Sequence, residues 1–325
     1  MNNKEREKFW KVLLAAKNES DVEKLLSVIK YPNKLYRYRQ LKDIKDIKAL
    51  EENKLYFSTS NYYDDPFDTF IRIDTKQVKN IGKCIEKGNI PPAMVSSFNL
   101  IPKQNLSKEN INITLKNVIS FAKDTRNEIR KHTWSLCFTE RHDNENLWLK
   151  YANNHKGFVL EYNINDLGNA IFDTEKPASC MINNNIRFSL YPMYYSRRKN
   201  GYNATDYAGF IACCRFLENL NLINLIQILV SQNPFMWEKE KVLLIKKWIH
   251  HYDEEWRMIL NSTYRIESKI KPRIICKPSK IILGLKISDD DKKDVLMAAE
   301  KAGINNIEQM IIDDNDEFIA EKLKI

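Results

Sequence analysis

The feature that most constrains this chain is a recurring switch of period. Short aromatic-rich runs that alternate residue by residue are set between stretches with helical spacing. "KLYRYRQ" (34–40) alternates and reads as a strand, in which successive side chains point to opposite faces. "DIKDIKALEEN" follows with Ile44, Ile47 and Leu50 at helical spacing, and "KLYFSTS" (54–60) is a second strand closed by the polar turn "NYYDDP". Later, "WSLCFTE" (134–140) reads as a strand. "ENLWLKYANNHKGFVLEY" (145–162) reads as a short helix that stops at Gly157 and continues as a strand. "FSLYPMYYS" is a strand broken by Pro192, and "EEWRMIL" (254–260) is another. "SKIILGLKIS", "DDKKDVLMAAEKAG" and "IEQMIID" make a strand–helix–strand tail. "KVLLIKKWIHH" fits a buried helix or a strand equally well. The expectation is one α+β domain over 34–325 with a mixed or antiparallel sheet and helical insertions near 75–131 and 203–247. A helical extension over 1–33 precedes it, whose "SDVEKLLSVIK" has Ser20 as N-cap and Glu23 at the capping-box position. Only 8 glycines in 325 residues argue against a loose chain of modules.

With 43% hydrophobic residues the chain can bury a core of this size. No apolar run is long enough to span a bilayer, and the charged start "MNNKEREKFWKVLLAAKNES" lacks a signal-peptide cleavage site, so the reading is a soluble, cytoplasmic protein without a membrane partner. The six cysteines form no CxxC pair or Cys/His ligand spacing, and neither a structural metal nor a disulfide framework is expected. The formal net charge of +9 favours phosphate partners, in a nucleotide or a nucleic acid. It also fits Lys-rich composition spread over a solvated surface.

Four segments place polar groups densely beside aromatics: "LYRYR" (35–39), "YFSTSNYYDDPFD" (56–68), "CFTERHDNENLWLKYANNHKGFVLEY" (137–162) and "YDEEWR" (252–257). On a strand Arg37 and Arg39 share a face and suit bidentate phosphate binding. By the same rule Asp253 and Glu255 share a face, opposite Trp256, and a carboxylate pair suits sugar hydroxyls or a developing cation. Each has a plainer reading. The arginines can pair with Asp64, Asp65 or Glu255. Trp148 and Tyr151 can be core, and His155-Lys156-Gly157 can be a helix stop in which Gly157 supplies a positive φ. No nucleophile elbow, P-loop or dinucleotide fingerprint is present. Asp64, Asp65, Asp68 and Glu255 leave open a metal-dependent nuclease.

Taken in order, "LYRYR", "KLYFSTSNYYDDPFD", "CFTE", "LWLKYANNHKGFVLEY" and "YDEEWR" resemble the bacterial family known as domain of unknown function 2971. The resemblance runs from about residue 34 to about residue 285. The chain carries Asp64 where that pattern has Asn, Asp68 where it has Glu, and Asp253 where the late motif has its first Glu. The family name carries no activity, but the arrangement is similar to that of ADP-ribosyltransferases. That resemblance implies NAD as substrate, with Arg37 or Arg39 holding it, Glu255 as the catalytic acid and Asp253 in the accessory acid position, where its shorter reach weakens the case for arginine modification. Ser58-Thr59-Ser60 spells that fold's Ser-Thr-Ser motif. Tyr62, Tyr63 or Trp148 would stack nicotinamide or adenine, and His155 would orient the substrate. The implied role is in phage defence or as a toxin, modifying nucleic acid or protein or hydrolysing NAD. The alternatives are a non-catalytic nucleotide- or nucleic-acid-binding protein and the nuclease above.

Overall fold

A computed structural model describes the chain except residues 42–43, 64, 66, 70, 79, 81–115, 117–119, 121–122, 125, 128, 174–186, 198–200, 220, 222, 232–234, 262–270 and 324–325. Most of the 75–131 stretch and Asp64 therefore lie outside the described residues.

The chain is mixed α and β, built on one large, mostly antiparallel sheet. Sixteen strands are described: β1 (Lys34–Arg39), β2 (Lys54–Tyr56), β3 (Ser58–Thr59), β4 (Ile71–Arg72), β5 (Trp134–Thr139), β6 (Phe158–Asn163), β7 (Ile171–Phe172), β8 (Arg187–Pro192), β9 (Tyr194–Ser196), β10 (Tyr202–Asn203), β11 (Ile245–Lys247), β12 (Glu255–Asn261), β13 (Arg273–Ile275), β14 (Lys280–Leu283), β15 (Ile307–Ile312) and β16 (Phe318–Lys322). The large sheet runs β16-β15-β14-β6-β1-β5-β12-β8, with β3 added beside β5. Only β14 and β15, joined by the helix Asp289–Lys301, are parallel within it. That crossover is the strand–helix–strand tail read from the sequence, because parallel neighbours need such a connection. Its return strand β16 was not foreseen. Three small sheets, β4 with β10, β9 with β11, and β2-β13-β7, flank the large one.

Both faces of the sheet are covered. Leu35, Leu160, Tyr162, Leu136, Phe138, Trp256 and Met258 belong to the main core, together with Phe9, Trp10 and Leu13 of the helix Asn3–Ala15. The N-terminal helix thus packs into the same core as the sheet. A smaller core of Trp148, Ala152, Val159, Ile282 and Met310 lies against Tyr36 and Tyr38. Tyr36 and Leu35, neighbours on β1, go to different cores, as a two-sided strand requires.

Two local expectations are corrected. Asn18, not Ser20, caps the second helical segment: its side chain accepts from the Ser20 amide, opening a 3-10 turn over Glu19–Asp21 before the helix Val22–Ser27. Gly157 does not supply the positive φ after the helix Glu145–Tyr151; Asn153, Asn154 and His155 do, at 50°, 55° and 66°. Gly157 is needed for closeness, since a Cβ there would lie 2.1 Å from the Arg39 carbonyl oxygen. Gly284 is constrained the same way, 2.1 Å from the His155 carbonyl oxygen. These contacts bring β1, β6 and the end of β14 together.

The ambiguous "KVLLIKKWIHH" is divided by the structure. It contributes the end of the helix Glu238–Leu243, then β11, then a 3-10 turn over Trp248–Asp253. None of the described helices is long and apolar enough to cross a membrane.

The sheet parts at its centre. β1 pairs with β6 at six positions but with β5 at one, Tyr36 opposite Thr139. Farther along, β5 takes β3 on that side instead, pairing Ser58 with Ser135. Arg37 donates from Nη1 to the Cys137 carbonyl oxygen at 2.8 Å, a side chain serving a backbone acceptor that β1 leaves unpaired. The gap between these strands is where the site forms.

Candidate functional site

A cavity of about 390 Å³ opens at the split, within the range of small-molecule sites. β1 supplies Tyr36 to Arg39, β5 supplies Cys137 to Thr139, and β12 supplies Glu255 and Arg257. Tyr62, Tyr63, Asp65 and Asp68 come from the segment after β3, Lys150 and Tyr151 from the helix Glu145–Tyr151, and Lys246 from β11. The register puts Tyr36, Thr139 and Glu255 in one row across three strands. Arg37 therefore starts from the opposite pleat, and the parted ladder lets it reach the same space.

The floor is a closed network of charges. Arg257, 1% exposed, donates to Asp68 Oδ1 at 2.9 Å and Oδ2 at 2.5 Å, to Glu255 Oε1 at 2.7 Å and to the Leu243 carbonyl oxygen at 2.6 Å. Lys246 Nζ donates to Glu255 Oε2 at 2.8 Å and Asp253 Oδ2 at 2.9 Å. Burial opposes ionisation of Glu255, but the charges of Arg257 and Lys246 outweigh it and hold the carboxyl far below its usual range. Burial likewise opposes the Lys246 ammonium, and the charges of Glu255 and Asp253 hold its pKa well above the usual value. The Glu255 main chain is fixed as well: its amide donates to Tyr195 Oη at 2.7 Å, and its carbonyl accepts from Arg6 at 2.8 Å.

Asp253 is not a strand residue, which corrects the expectation that it alternates with Glu255. It ends the 3-10 turn, and Glu254, in the left-handed region at φ 44°, redirects the chain into β12. The two acids meet because Lys246 bridges them. Trp256 is fully buried in the main core and donates to Glu140 Oε1 at 2.7 Å. The acids around this tryptophan therefore serve the cavity while its ring anchors the strand.

The two β1 arginines differ. Arg39 Nη2 lies 2.7 Å from Asp46 Oδ1, an ion pair with an acid that was not among the partners considered from the sequence. Arg37 has no carboxylate partner among the described residues, and its Nε is buried without any hydrogen bond. Its guanidinium is drawn down to about 10 by burial and by the like charge of Arg39, yet stays cationic at neutral pH. Behind it, Tyr63 hydrogen-bonds Ser135, and the Cys137 thiol donates to Tyr63 Oη at 3.7 Å. Burial and Glu255 push that thiol up to about 11, so it is not a ready nucleophile.

The structure thus brings together Arg37, Arg39, Ser58, Tyr62, Tyr63, Asp253 and Glu255 from the sequence-derived set. It places Trp148 and His155 elsewhere. Trp148 is fully buried in the smaller core, donates Nε1 to the His142 carbonyl oxygen at 2.7 Å, and stacks on His155 at 5.9 Å between centroids. Neither lines the cavity: at the helix end their rings fill the space between the helix and β16, where Phe318 packs edge-on against both. Arg257 and Lys246 were not assigned from the sequence. Arg257 was legible, since Glu255-x-Arg257 places both on one strand face. Lys246 carried no signal, because its segment had no settled period.

Asp68 and Glu255, candidates for a metal-dependent nuclease, already have their oxygens occupied by Arg257 and Lys246. Among the described residues no group of three or more His, Cys, Asp or Glu side chains is placed to hold a metal ion. Asp65 instead lies 3.3 Å from His250 Nε2. No protein-family model, curated protein or solved structure matches the chain.

Proposed function

We propose that the cavity binds a nucleotide through its phosphates, and that the protein is an ADP-ribosyltransferase-like enzyme that cleaves the nicotinamide–ribose bond of NAD. The observation that carries this reading is the pairing, in one cavity, of a guanidinium without a carboxylate partner among the described residues and a carboxylate held ionised: Arg37 and Glu255. A half-buried cation whose Nε is buried without a partner is costly unless an anion completes it, and the planar guanidinium suits a pyrophosphate.

The chemistry fits that division. As the bond from nicotinamide nitrogen to ribose C1′ breaks, its electron pair leaves with nicotinamide and positive charge develops on the sugar. The Glu255 carboxylate, fixed through side chain and main chain, would face that charge without reorganising. Lys246 and Arg257 leave its remaining lone pairs for ribose hydroxyls. Tyr63, Tyr36 and Tyr38 supply aromatic surface for the bases. An ADP-ribosyltransferase-like fold, membership in the uncharacterised bacterial family, and a role in phage defence or as a toxin rest on the sequence resemblance.

A second reading is a non-catalytic nucleotide sensor. It is favoured by the engagement of both Glu255 oxygens, which makes that residue part of a structural ion network. The deciding experiment measures NAD binding and nicotinamide release for wild type, Glu255→Gln and Arg37→Met, with thermal unfolding of each as the folding control. Release that disappears in folded Glu255→Gln while NAD still binds supports the enzyme. NAD binding without release in wild type supports the sensor. Absence of NAD binding in folded wild type removes the enzyme and any sensor of NAD.

A further inference from the structure

Three exposed aromatic rings stand around the mouth of the cavity, and each has a lysine over its face. Tyr62, 67% exposed, has Lys271 Nζ 5.4 Å from its ring centroid. Phe67, 49% exposed, has Lys247 Nζ at 3.3 Å, and Tyr151, 37% exposed, has Lys150 Nζ at 4.9 Å. Tyr62, Tyr151 and Lys150 also line the cavity, and Phe67 lies between its lining residues Asp65 and Asp68. None of the three ammonium groups has a carboxylate partner within ion-pair distance among the described residues. Of the described acids that line the cavity, Arg257 and Lys246 neutralise Asp68, Asp253 and Glu255, Arg39 pairs with Asp46, and Asp65 accepts from the Phe67 amide and lies 3.3 Å from His250 Nε2.

We propose that this rim binds single-stranded nucleic acid, with bases stacking on Tyr62, Phe67 and Tyr151 and phosphates taken by Lys150, Lys247 and Lys271. The charge of the rim selects the occupant. Each ring keeps exposed surface beyond the face its lysine covers, and so offers a base a stacking surface and a phosphate a counter-ion in the same few ångströms, the pairing that sequence-tolerant single-strand binding uses. A duplex keeps its bases stacked and offers the rings nothing. An acidic peptide would satisfy the lysines and leave the aromatics idle. The net charge of +9 has the sign that draws a polyanion toward the site.

If the NAD reading holds, the strand lying across the mouth is the acceptor. A nucleophilic group of a base bonds to ribose C1′, nicotinamide leaves with the electron pair of its bond, and the proton of the attacking group passes to solvent. This assignment of the acceptor rests on the NAD reading; the binding strip does not.

The test is fluorescence anisotropy of a labelled oligothymidylate of about 12 nucleotides, without NAD, across a salt series. Three phosphate contacts predict a slope of log affinity against log salt of about −2. Phe67→Ala is expected to weaken binding about tenfold. Lys247→Glu and Lys271→Glu are each expected to weaken it and flatten the slope. A duplex of the same length and polyglutamate should compete poorly. No binding at about 50 mM salt, affinity unchanged in all three variants, or polyglutamate competing as well as the oligonucleotide overturns the proposal. Because the residues changed are on the surface, circular dichroism of each variant separates lost binding from lost folding. Adding radiolabelled NAD then separates the two readings. Label on the oligonucleotide supports the acceptor role, and nicotinamide release with no label overturns that role. Oligonucleotide binding with no nicotinamide release counts against the NAD reading and for the strip.

Discussion

Arg257 and Arg37 reach the same cavity from central strands, and their surroundings are opposite. Arg257 is saturated, with Asp68 gripped through both carboxylate oxygens, Glu255 and a main-chain carbonyl. Arg37 has one backbone acceptor and a buried Nε with no partner. The first is a cation that the fold needs, because removing it strands the buried Asp68 and leaves Glu255 with Lys246 alone. The second is a cation with no carboxylate partner among the described residues, held inside the protein by the Cys137 carbonyl alone. A charge that costs desolvation and finds no carboxylate among the described residues is explained by an anion from outside the chain. The difference separates the part of the cavity that is scaffold from the part that awaits a ligand.

That contrast can be broken most directly at Arg257. Arg257→Met should cost about 3–5 kcal/mol in urea unfolding, since Asp68 and Glu255 lose their shared partner. A loss below about 1 kcal/mol would mean that the floor is not held by this network.

Next in size is the response to acid and base. The Glu255 pKa is depressed in the folded protein, so its contribution is complete above the ordinary value of 4.5 and is lost as pH falls from there toward the folded-state value. Lys246 behaves in the reverse sense. Its pKa is raised above 10.5, so its contribution is complete below 10.5 and disappears as pH rises through the folded-state value. The thermal midpoint should therefore be flat between about pH 5 and pH 10 as far as this network is concerned, falling on both sides. In Glu255→Gln the acid fall should be shallower; an unchanged acid profile would remove Glu255 from the groups responsible.

Trp148→Phe is smaller, roughly 1–3 kcal/mol of stability, with NAD affinity unchanged because that ring fills a core and not the cavity. Weakened NAD binding in this variant would return Trp148 to the site.

The smallest expected stability change is for Arg37→Met, within about 1 kcal/mol, since the lost hydrogen bond to the Cys137 carbonyl is offset by removing a half-buried charge with no carboxylate partner among the described residues. Its effect falls on the ligand: NAD affinity should drop at least about tenfold by titration calorimetry. A large stability loss with intact affinity would reverse the roles assigned to the two arginines.

Much of the element order was legible because period is a local property. "KLYRYR" is β1, "WSLCFT" is β5, and the strand–helix–strand tail falls where its pattern puts it. Residues chosen for polar density on or beside strands, Arg37, Ser58, Tyr62, Tyr63 and Glu255, met in the cavity. Trp148 and His155 did not, because an aromatic near a helix end looks the same in sequence whether it faces a ligand or a core. Asp253 was misread by extending the strand period two residues too far; Glu254 breaks it with a left-handed φ. Lys246 was missed because its segment changes from helix to strand to 3-10 turn within a dozen residues.

The sequence by itself determined a mixed α and β chain, the strands that carry the arginines and Glu255, and the placement of Trp256 on the face opposite Glu255. These follow from alternation, which neighbours along the chain impose. Only the tertiary structure decided that β1 parts from β5, that Arg39 is neutralised by Asp46 while Arg37 meets no carboxylate among the described residues, and that Lys246 ties Asp253 to Glu255. Those are contacts between distant segments, and whether a charge is satisfied depends on which partner the fold brings within about 3 Å of it.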